Sequence, residues 1–282
     1  MGIVVNTNGC SMIVQRSIST TSSEISKSLE KLSTGYKINH AADDAAGLVI
    51  SESLSAQARG ASQAASNSQA GISLLQTAEA DLGIIQDNLL RIRDLTVQAS
   101  NGTYGTTERN AIYSEVQART EEIDRIAKSS KFNEIKLLDG SNTDLNLQVG
   151  SNAVASLNAL AIGVPLGKAT TSSLGLGTTA TVSSSFATAT KAASFLSSID
   201  TAINSVSTRR SQIGSLQNRL DSAIKSLAVK QENMEASNSK IRDTDIAKEA
   251  ANLTKNQILQ QASISLLSQA DQSPQLALNL LQ

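Results

Sequence analysis

The chain has 282 residues, of which 2% are aromatic and none is tryptophan, and its formal net charge is −1. Compact enzyme cores usually contain more aromatic side chains, so this composition favours helical rods over a fold built around a pocket. Acidic and basic residues are interspersed and nearly balanced, which argues against a nucleic-acid-binding or membrane-surface protein.

The cysteine content and the hydropathy of the sequence indicate in which compartment the protein is found. The single cysteine, Cys10, excludes an intrachain disulfide, and we expect it to be a small buried side chain rather than a reactive thiol. No early apolar run suits a signal peptide, and no later stretch suits a membrane span. We therefore expect the protein either to stay in the cytoplasm or to leave it by a route that needs no cleaved signal.

A helical pattern begins near Ser11 and stops at Gly35, a residue type that commonly terminates helices. Its apolar positions are Ile18, Ile25, Leu29 and Leu32. A short non-helical link over 36–42 follows. Asp43 and Asp44 then occupy the positions of an N-cap and a first-turn acid, where carboxylates stabilise the start of the next helix.

The next predicted helix is long and carries an apolar or small residue at every seventh position. That row consists of Leu54, Ala61, Ser68, Leu75, Leu82 and Leu89. Asn101 and Gly102 end the pattern, and a third helix over about 107–129 follows after a short turn. The short turn predicts an antiparallel hairpin of these two helices.

The pattern changes between 131 and 186. Leu145, Leu147 and Val149 alternate with polar residues before a turn signal at Gly150, which predicts a strand of a β-hairpin. The Thr-, Ser-, Ala- and Gly-rich run over 169–190 is predicted to be an edge strand or an exposed loop.

The most regular heptad pattern, here called the rod seam, lies between 199 and 241. It consists of Ile199, Val206, Ile213, Leu220, Leu227 and Met234, followed by Ile241. The row three residues earlier mixes apolar and polar side chains. Such a narrow stripe predicts one long helix packed along another.

Helical periodicity resumes after Asp245 and continues toward the C-terminal end. Its apolar positions include Leu253, Ile258, Leu259, Ile264 and Leu267. Pro274 is expected to interrupt this helix. The leucine-rich residues from Leu276 onward are expected to be buried against a partner, because an exposed apolar tail would be a liability.

Several segments of the chain match the motifs of one known protein family. Residues 29–50, LEKLSTGYKINHAADDAAGLVI, resemble the flagellin Leu-x-x-Leu-Ser-x-Gly turn followed by Ile-Asn and Asp-Asp-Ala-Ala-Gly. Shorter similar segments are Asn6-Thr7-Asn8, residues 89–98, residues 122–125, Lys131-Phe132-Asn133 and residues 257–262. Their order and spacing make the match specific over about 1–140 and 190–282. Gly9 and Cys10 depart from the family, which usually has apolar or serine residues there.

The resemblance implies a mainly α fold: a long antiparallel helical, coiled-coil bundle rod with a small β-hairpin region. It implies that the N- and C-terminal helices pair as an inner-core domain, over 1–45 and 242–282. The rod domain would span 46–241, with 131–186 in place of the outer domains that many flagellins carry. Inner-core contacts would involve Ile18, Ile25, Leu29, Leu32, Leu253, Ile258, Leu259, Ile264 and Leu267.

By the same resemblance, the chain would be a structural subunit that self-polymerises into the extracellular flagellar filament used for motility. Its expected partners are itself, an export chaperone, and the cap and hook-junction proteins, and it would be exported unfolded through the flagellar secretion channel. The vertebrate innate-immune flagellin receptor is a further possible partner. The positions matching the receptor site are Leu89, Arg91, Leu95 and Glu115, although Arg91 and Glu115 could equally form a plain surface ion pair.

No constellation of residues predicts catalysis, a cofactor or a metal. His40 has no Cys or His neighbours in sequence, and Gly163–Ala169 has the wrong spacing and end residue for a phosphate loop. Ser28 and Lys31 match an acyl-transfer spacing that lacks a second motif. An enzyme is therefore the least favoured class. The remaining alternatives are a hook–filament junction protein and a soluble coiled-coil adaptor.

Overall fold

The computed structural model describes residues 7–142, 145–150, 159–161, 165–177 and 179–279. Asn6 of the Asn-Thr-Asn motif, Gly163 of the phosphate-loop candidate and the last three residues, 280–282, lie outside the described residues. The chain divides into two compact units, Met1–Ala56 with Asn233–Gln282, and Gln57–Glu232. These limits fall inside two long helices, whereas the sequence-based limits at 45/46 and 241/242 were placed near helix ends and stay a prediction.

The described residues confirm the predicted mainly α fold. The helices are α1 (Gly9–Thr34), α2 (Ala45–Ala99), α3 (Thr106–Ser129), α4 (Thr179–Ser185), α5 (Ala189–Arg242) and α6 (Ile246–Asn279). The strands are β1 (Lys131–Phe132), β2 (Ile135–Lys136), β3 (Asn146–Gln148) and β4 (Ala159–Ala161). They form two antiparallel pairs, β1 with β2 and β3 with β4.

The unit over 57–232 is built on an antiparallel pairing of α2 with α5. Arg210 donates to Gln86 at 2.8 Å, and Arg93 donates to Asp200 at 2.8 Å. As the position on α2 rises, the position of its partner on α5 falls, so the helices run in opposite directions. Helix α3 returns along α2 in the predicted hairpin, because Arg119 donates to Asn88 at 3.3 Å.

The rod seam lies in the core of this unit. Ile199, Val206, Ile213 and Leu220 are 0% exposed, and Leu227 is 6% exposed. Met234, which belongs to the other unit, is half-buried. The row three residues before the seam is half-buried throughout, whereas the row four residues before it holds the buried residues Phe195, Ala202 and Leu216. The buried stripe of α5 is therefore wider than the two-row seam that the sequence suggested.

The prediction of an edge strand or exposed loop over 169–190 was wrong. Residues 165–177 form turns, and α4 and the start of α5 follow, with Leu166, Leu174, Leu176, Val182 and Phe186 buried. Arg209 donates to the carbonyls of Gly167 and Lys168 at 2.7 and 2.9 Å. Asp124 accepts the backbone N–H and the hydroxyl of Thr171 at 2.8 and 3.0 Å. These bonds from distant helices hold a segment whose own composition resembles a loop.

In the unit that contains both chain ends, α1 and α6 pair antiparallel. The hydroxyl of Ser28 donates to Glu249 at 2.6 Å near one end of the pair, and the amide of Asn8 donates to the carbonyl of Ala270 at 2.9 Å near the other. The prediction that Pro274 interrupts the last helix was wrong, because α6 continues to Asn279. Pro274 has no N–H to offer the carbonyl of Ala270 four residues earlier, and the amide of Asn8 supplies that hydrogen bond instead.

The links that join these helices to α2 and α5 lie side by side. The N–H of Lys37 donates to the carbonyl of Arg242 at 2.7 Å, and the N–H of Thr244 donates to the carbonyl of Gly35 at 2.9 Å. The guanidinium of Arg242 lies 4.5 Å from the centre of the Tyr36 ring. Gly35 terminates α1 with a φ of 76°, as its position in the sequence predicted.

The acidic pair before α2 lies one residue off its predicted positions: Asp44, not Asp43, is the N-cap, and the first turn of α2 contains no acidic residue. Asp44 caps the helix by accepting the N–H of Gly47 at 2.9 Å. Asp43 stands before the helix and accepts the N–H groups of Asn39 and His40 at 3.1 and 3.0 Å. These two bonds hold the pKa of the Asp43 carboxyl below its ordinary value. A Cβ on Gly47 would overlap the capping carboxylate of Asp44 and approach Cδ1 of the buried Ile38 to 2.9 Å, so a larger residue there would displace these side chains.

Candidate self-assembly surface

The seam between α1 and α6 is heptad-spaced but contains many polar side chains. On α1 a row of less exposed positions is spaced three and four apart: Ser11, Val14, Ile18, Thr21, Ile25, Ser28 and Leu32. On α6 they are Glu249, Leu253, Asn256, Gln260, Ser263, Leu267 and Ala270. Apolar layers alternate with hydroxyl, amide and carboxylate layers, so the pairing buries less apolar surface than a leucine-rich coiled coil would.

The predicted inner-core residues divide between this seam and the outer faces. Ile18, Ile25, Leu32, Leu253 and Leu267 are half-buried in the seam. The remaining predicted residues are exposed: Leu29 by 52%, Ile258 by 62%, Leu259 by 46% and Ile264 by 54%. The latter four cannot hold α1 against α6, and they lie free on the surface of a single chain.

On the described parts of these helices, four more large apolar residues are exposed, which are not among the predicted assembly residues. They are Met12, Ile13, Ile246 and Leu266, each more than half exposed. The sequence contains a signal for them. If serine and asparagine are allowed at seam positions, the heptads assign these four large side chains to rows outside the seam. Together with Leu29, Ile258, Leu259 and Ile264 they form what we call the outer apolar set.

Cys10 is exposed, so the prediction of a buried side chain was wrong. The seam of α1 runs through Ser11 and Val14, which places Cys10 one residue outside it.

The positions that match the receptor site do not share one surface. Leu89 is 0% exposed and Leu95 is 4% exposed, so both are core residues and cannot contact a partner directly. Arg91 lies on α2 and Glu115 on α3, and the two form an ion pair at 2.9 Å. Their side chains are 50% and 39% exposed. Of the four predicted residues, only this ion pair is available at the surface.

The remaining candidates for chemistry form no site in the described part of the chain. His40 is 3.4 Å from a carboxylate oxygen of Glu30 and largely exposed. Within the described residues there is no group of three potential metal ligands, and no described helix is long and apolar enough to cross a membrane. Ser28, from the acyl-transfer spacing, is engaged with Glu249 across the α1–α6 seam.

Comparison with known proteins identifies the family. Residues 5–143 match the bacterial flagellin N-terminal helical region, and residues 196–281 match the bacterial flagellin C-terminal helical region. The flagellin of Halalkalibacterium halodurans is 42% identical over 279 residues, which cover 99% of this chain and all of that protein. The flagellar filament 33 kDa core protein of Treponema phagedenis is 37% identical over 288 residues, covering 99% of this chain and all of its own.

A solved structure shares the fold. A protein of Vibrio parahaemolyticus described as flagellar hook-associated has a TM-score of 0.59 over 71% of this chain and all of its own, with 15% identity. At that identity the likeness concerns the fold alone, whereas the matched regions and the relatives above extend over both halves of the sequence. The chain belongs to the bacterial flagellin family.

Proposed function

We propose that this chain is the repeating subunit of a flagellar filament outside the cell and that it polymerises through the outer apolar set of α1 and α6. The main evidence is that large apolar residues remain exposed on both helices after the two have paired. Met12 and Ile13 are 62% and 60% exposed on α1, and Ile258 and Leu266 are 62% and 55% exposed on α6. A helix pair of a monomeric protein would keep such residues in its seam.

Other copies of the same chain are the occupants that fit these faces. Full burial of a leucine, isoleucine or methionine side chain stabilises by about 1.5–3 kcal/mol, so covering several half-exposed ones stabilises each subunit contact by several kcal/mol. A soluble adaptor would need one free apolar face, whereas here both helices carry one. The name of the Treponema relative, a filament core protein, supports the same function.

A hook–filament junction protein is the nearest alternative. The fold likeness to the Vibrio protein is compatible with it, at 15% identity. The flagellin-matched regions at both ends of the sequence support the filament instead.

The polar layers of the α1–α6 seam support export in an unfolded form. We further propose that a chaperone acts on the exporting side and that the cap and hook-junction proteins bind at the filament ends. Isolated helices are only marginally stable in water, and most of their stability in proteins comes from packing. A seam with hydroxyl and amide layers supplies little of that packing, so it stabilises α1 and α6 only weakly. We expect the ends of the dilute monomer to be unfolded and a segment of about 45–240 to resist limited proteolysis. Equal resistance of the ends in monomer and polymer would contradict this.

We expect recognition by an innate-immune receptor to centre on Arg91 and Glu115. Arginine is enriched at interface hot spots and can donate several hydrogen bonds at once. The ion pair itself is exposed and therefore contributes little to folding. Leu89 and Leu95 would contribute only by fixing the position of α2.

Sedimentation of polymer tests the proposed assembly surface. Ile258→Asp puts a charge into the outer apolar set without touching the seam, and we expect it to abolish sedimentable polymer while circular dichroism of the monomer is unchanged. Ile258→Leu is the matched control and should polymerise as the wild type does. Polymer of normal yield from Ile258→Asp would exclude this face from the assembly.

A further inference from the structure

The sequence contains two Asn–Gly dipeptides, Asn8–Gly9 and Asn101–Gly102. Asparagine before glycine is prone to spontaneous deamidation, because the unbranched glycine leaves its backbone nitrogen open to react. That nitrogen attacks the carbonyl carbon of the asparagine side chain, a C–N bond forms, and ammonia leaves. Water then opens the five-membered imide to aspartate or isoaspartate. The net reaction consumes water, releases ammonia and replaces a neutral amide with a carboxylate.

Asn8 is held at both ends of its amide. Its Oδ1 accepts the N–H of Ser11 at 3.2 Å, which makes Asn8 the N-cap of α1. Its Nδ2 donates to the carbonyl of Ala270 on α6 at 2.9 Å. Attack by the nitrogen of Gly9 requires the amide group to rotate toward it, and both hydrogen bonds oppose that rotation.

The bond to Ala270 has a specific structural role. Pro274 cannot donate to this carbonyl, so the amide of Asn8 replaces the helix bond that the proline removes. An aspartate at position 8 would keep the N-cap oxygen but would have no N–H for Ala270. Its carboxylate would face a carbonyl oxygen that has lost its donor, which is costly for a partly buried group.

Asn101 provides an internal comparison. It is exposed in the turn between α2 and α3, and its Oδ1 accepts the N–H of Thr103 at 3.2 Å. Its Nδ2 has no hydrogen-bond partner among the described residues. The same dipeptide therefore occurs once with the amide fixed at both ends and once with one end free.

We propose that Asn8–Gly9 is a deamidation site that the pairing of α1 with α6 protects, and that deamidation in turn weakens this pairing. Chains whose α1 and α6 are apart lose the amide of Asn8 with time, while paired chains keep it. The inference depends on the pair of helices within one chain and goes beyond the proposed polymerisation.

Mass spectrometry of peptides tests the protection. Wild-type protein, both soluble and sedimented, is incubated in mildly alkaline buffer beside the same protein in urea, and hydrogen exchange of the α1 amides reports whether α1 is paired. We expect the rate of deamidation at Asn8, relative to the rate at Asn101, to be low in protein whose α1 amides are shielded from exchange. In protein whose α1 amides exchange freely, the same ratio should equal the ratio measured in urea. Gly9→Ala, which has no atom within 4 Å of the added Cβ, should slow conversion at Asn8 in urea as well.

Conversion at the urea rate in protein whose α1 is shielded would overturn the inference, and so would the absence of any shielded state in native buffer. The consequence is tested with Asn8→Asp in protein whose α1 is shielded, where it should raise the exchange rate of α1 and α6 amides on the order of tenfold, the effect of losing about one hydrogen bond. Asn101→Asp adds the same charge in the exposed turn and should leave those rates unchanged. Equal exchange in the two variants would show that the amide of Asn8 does not secure the pair.

Discussion

Replacing Leu220 by aspartate is the sharpest test of the packing of α5 on α2. Leu220 is 0% exposed in the main hydrophobic cluster, which also contains Leu75 and Leu82 of α2. Loss of a buried leucine side chain costs about 2–5 kcal/mol, and an unpaired carboxylate in the same place costs several more. Domains of this kind are stable by about 5–15 kcal/mol, so we expect Leu220→Asp to unfold the unit over 57–232 or leave it marginal.

Ser222→Asp is the matched control, because it adds the same charge two residues along the same helix. Ser222 is exposed and its hydroxyl donates only to the carbonyl of Asn218, at 2.9 Å, so we expect a change within about 0.5 kcal/mol. Urea unfolding followed by circular dichroism measures both variants. Equal unfolding midpoints for the two would refute the assigned orientation of α5.

Four further outcomes are expected. Gly47→Ala should destabilise by about 1–3 kcal/mol through its crowded Cβ, whereas Gly83→Ala, with no atom within 4 Å, should stabilise by about 0.5–1 kcal/mol in thermal unfolding. Folding lowers the pKa of the Asp43 carboxyl below its ordinary value of 3.8, so this carboxylate contributes its full stability to the fold above that pH. The contribution is lost as the pH falls through the folded pKa, and an NMR titration midpoint at or above 3.8 would contradict this. Arg91→Ala monomer should activate receptor-bearing cells far less than wild type at an unchanged melting temperature, and full potency would place recognition elsewhere. Deletion of 276–282 should abolish sedimentable polymer without lowering the stability of the unit over 57–232, and filaments of normal length would disprove it.

The helices could be predicted from the sequence because their heptads are long and their ends carry strong signals. The rod seam repeats without interruption, Gly35 ends α1 as predicted, and the acidic pair marks the start of α2 to within one residue. The burial of Leu166, Leu174, Leu176, Val182 and Phe186 in the next segment could not be predicted in the same way. Its Gly-, Ser- and Thr-rich composition is typical of loops, and its burial depends on Arg209 and Asp124, which reach it from distant helices.

Tertiary contacts also explain the errors near the chain ends. Helix α6 continues past Pro274, and the carbonyl of Ala270, which Pro274 cannot serve, accepts a hydrogen bond from Asn8, more than 260 residues away in sequence. The division of the apolar residues of α1 and α6 into a seam and an outer set required knowing the pairing register. Polar side chains such as Ser28 and Ser263 occupy seam positions, so apolar periodicity alone assigned Leu29 and Ile258 to the same contact as Ile18.

Electron cryo-microscopy of the purified protein after dialysis into precipitating salt tests the central claim most directly. We expect long tubes of uniform diameter in which Met12, Ile13, Ile258 and Leu266 are covered by neighbouring subunits. Failure to form tubes under any such condition, or tubes in which these residues face open solvent, would contradict assembly through the outer apolar set of α1 and α6.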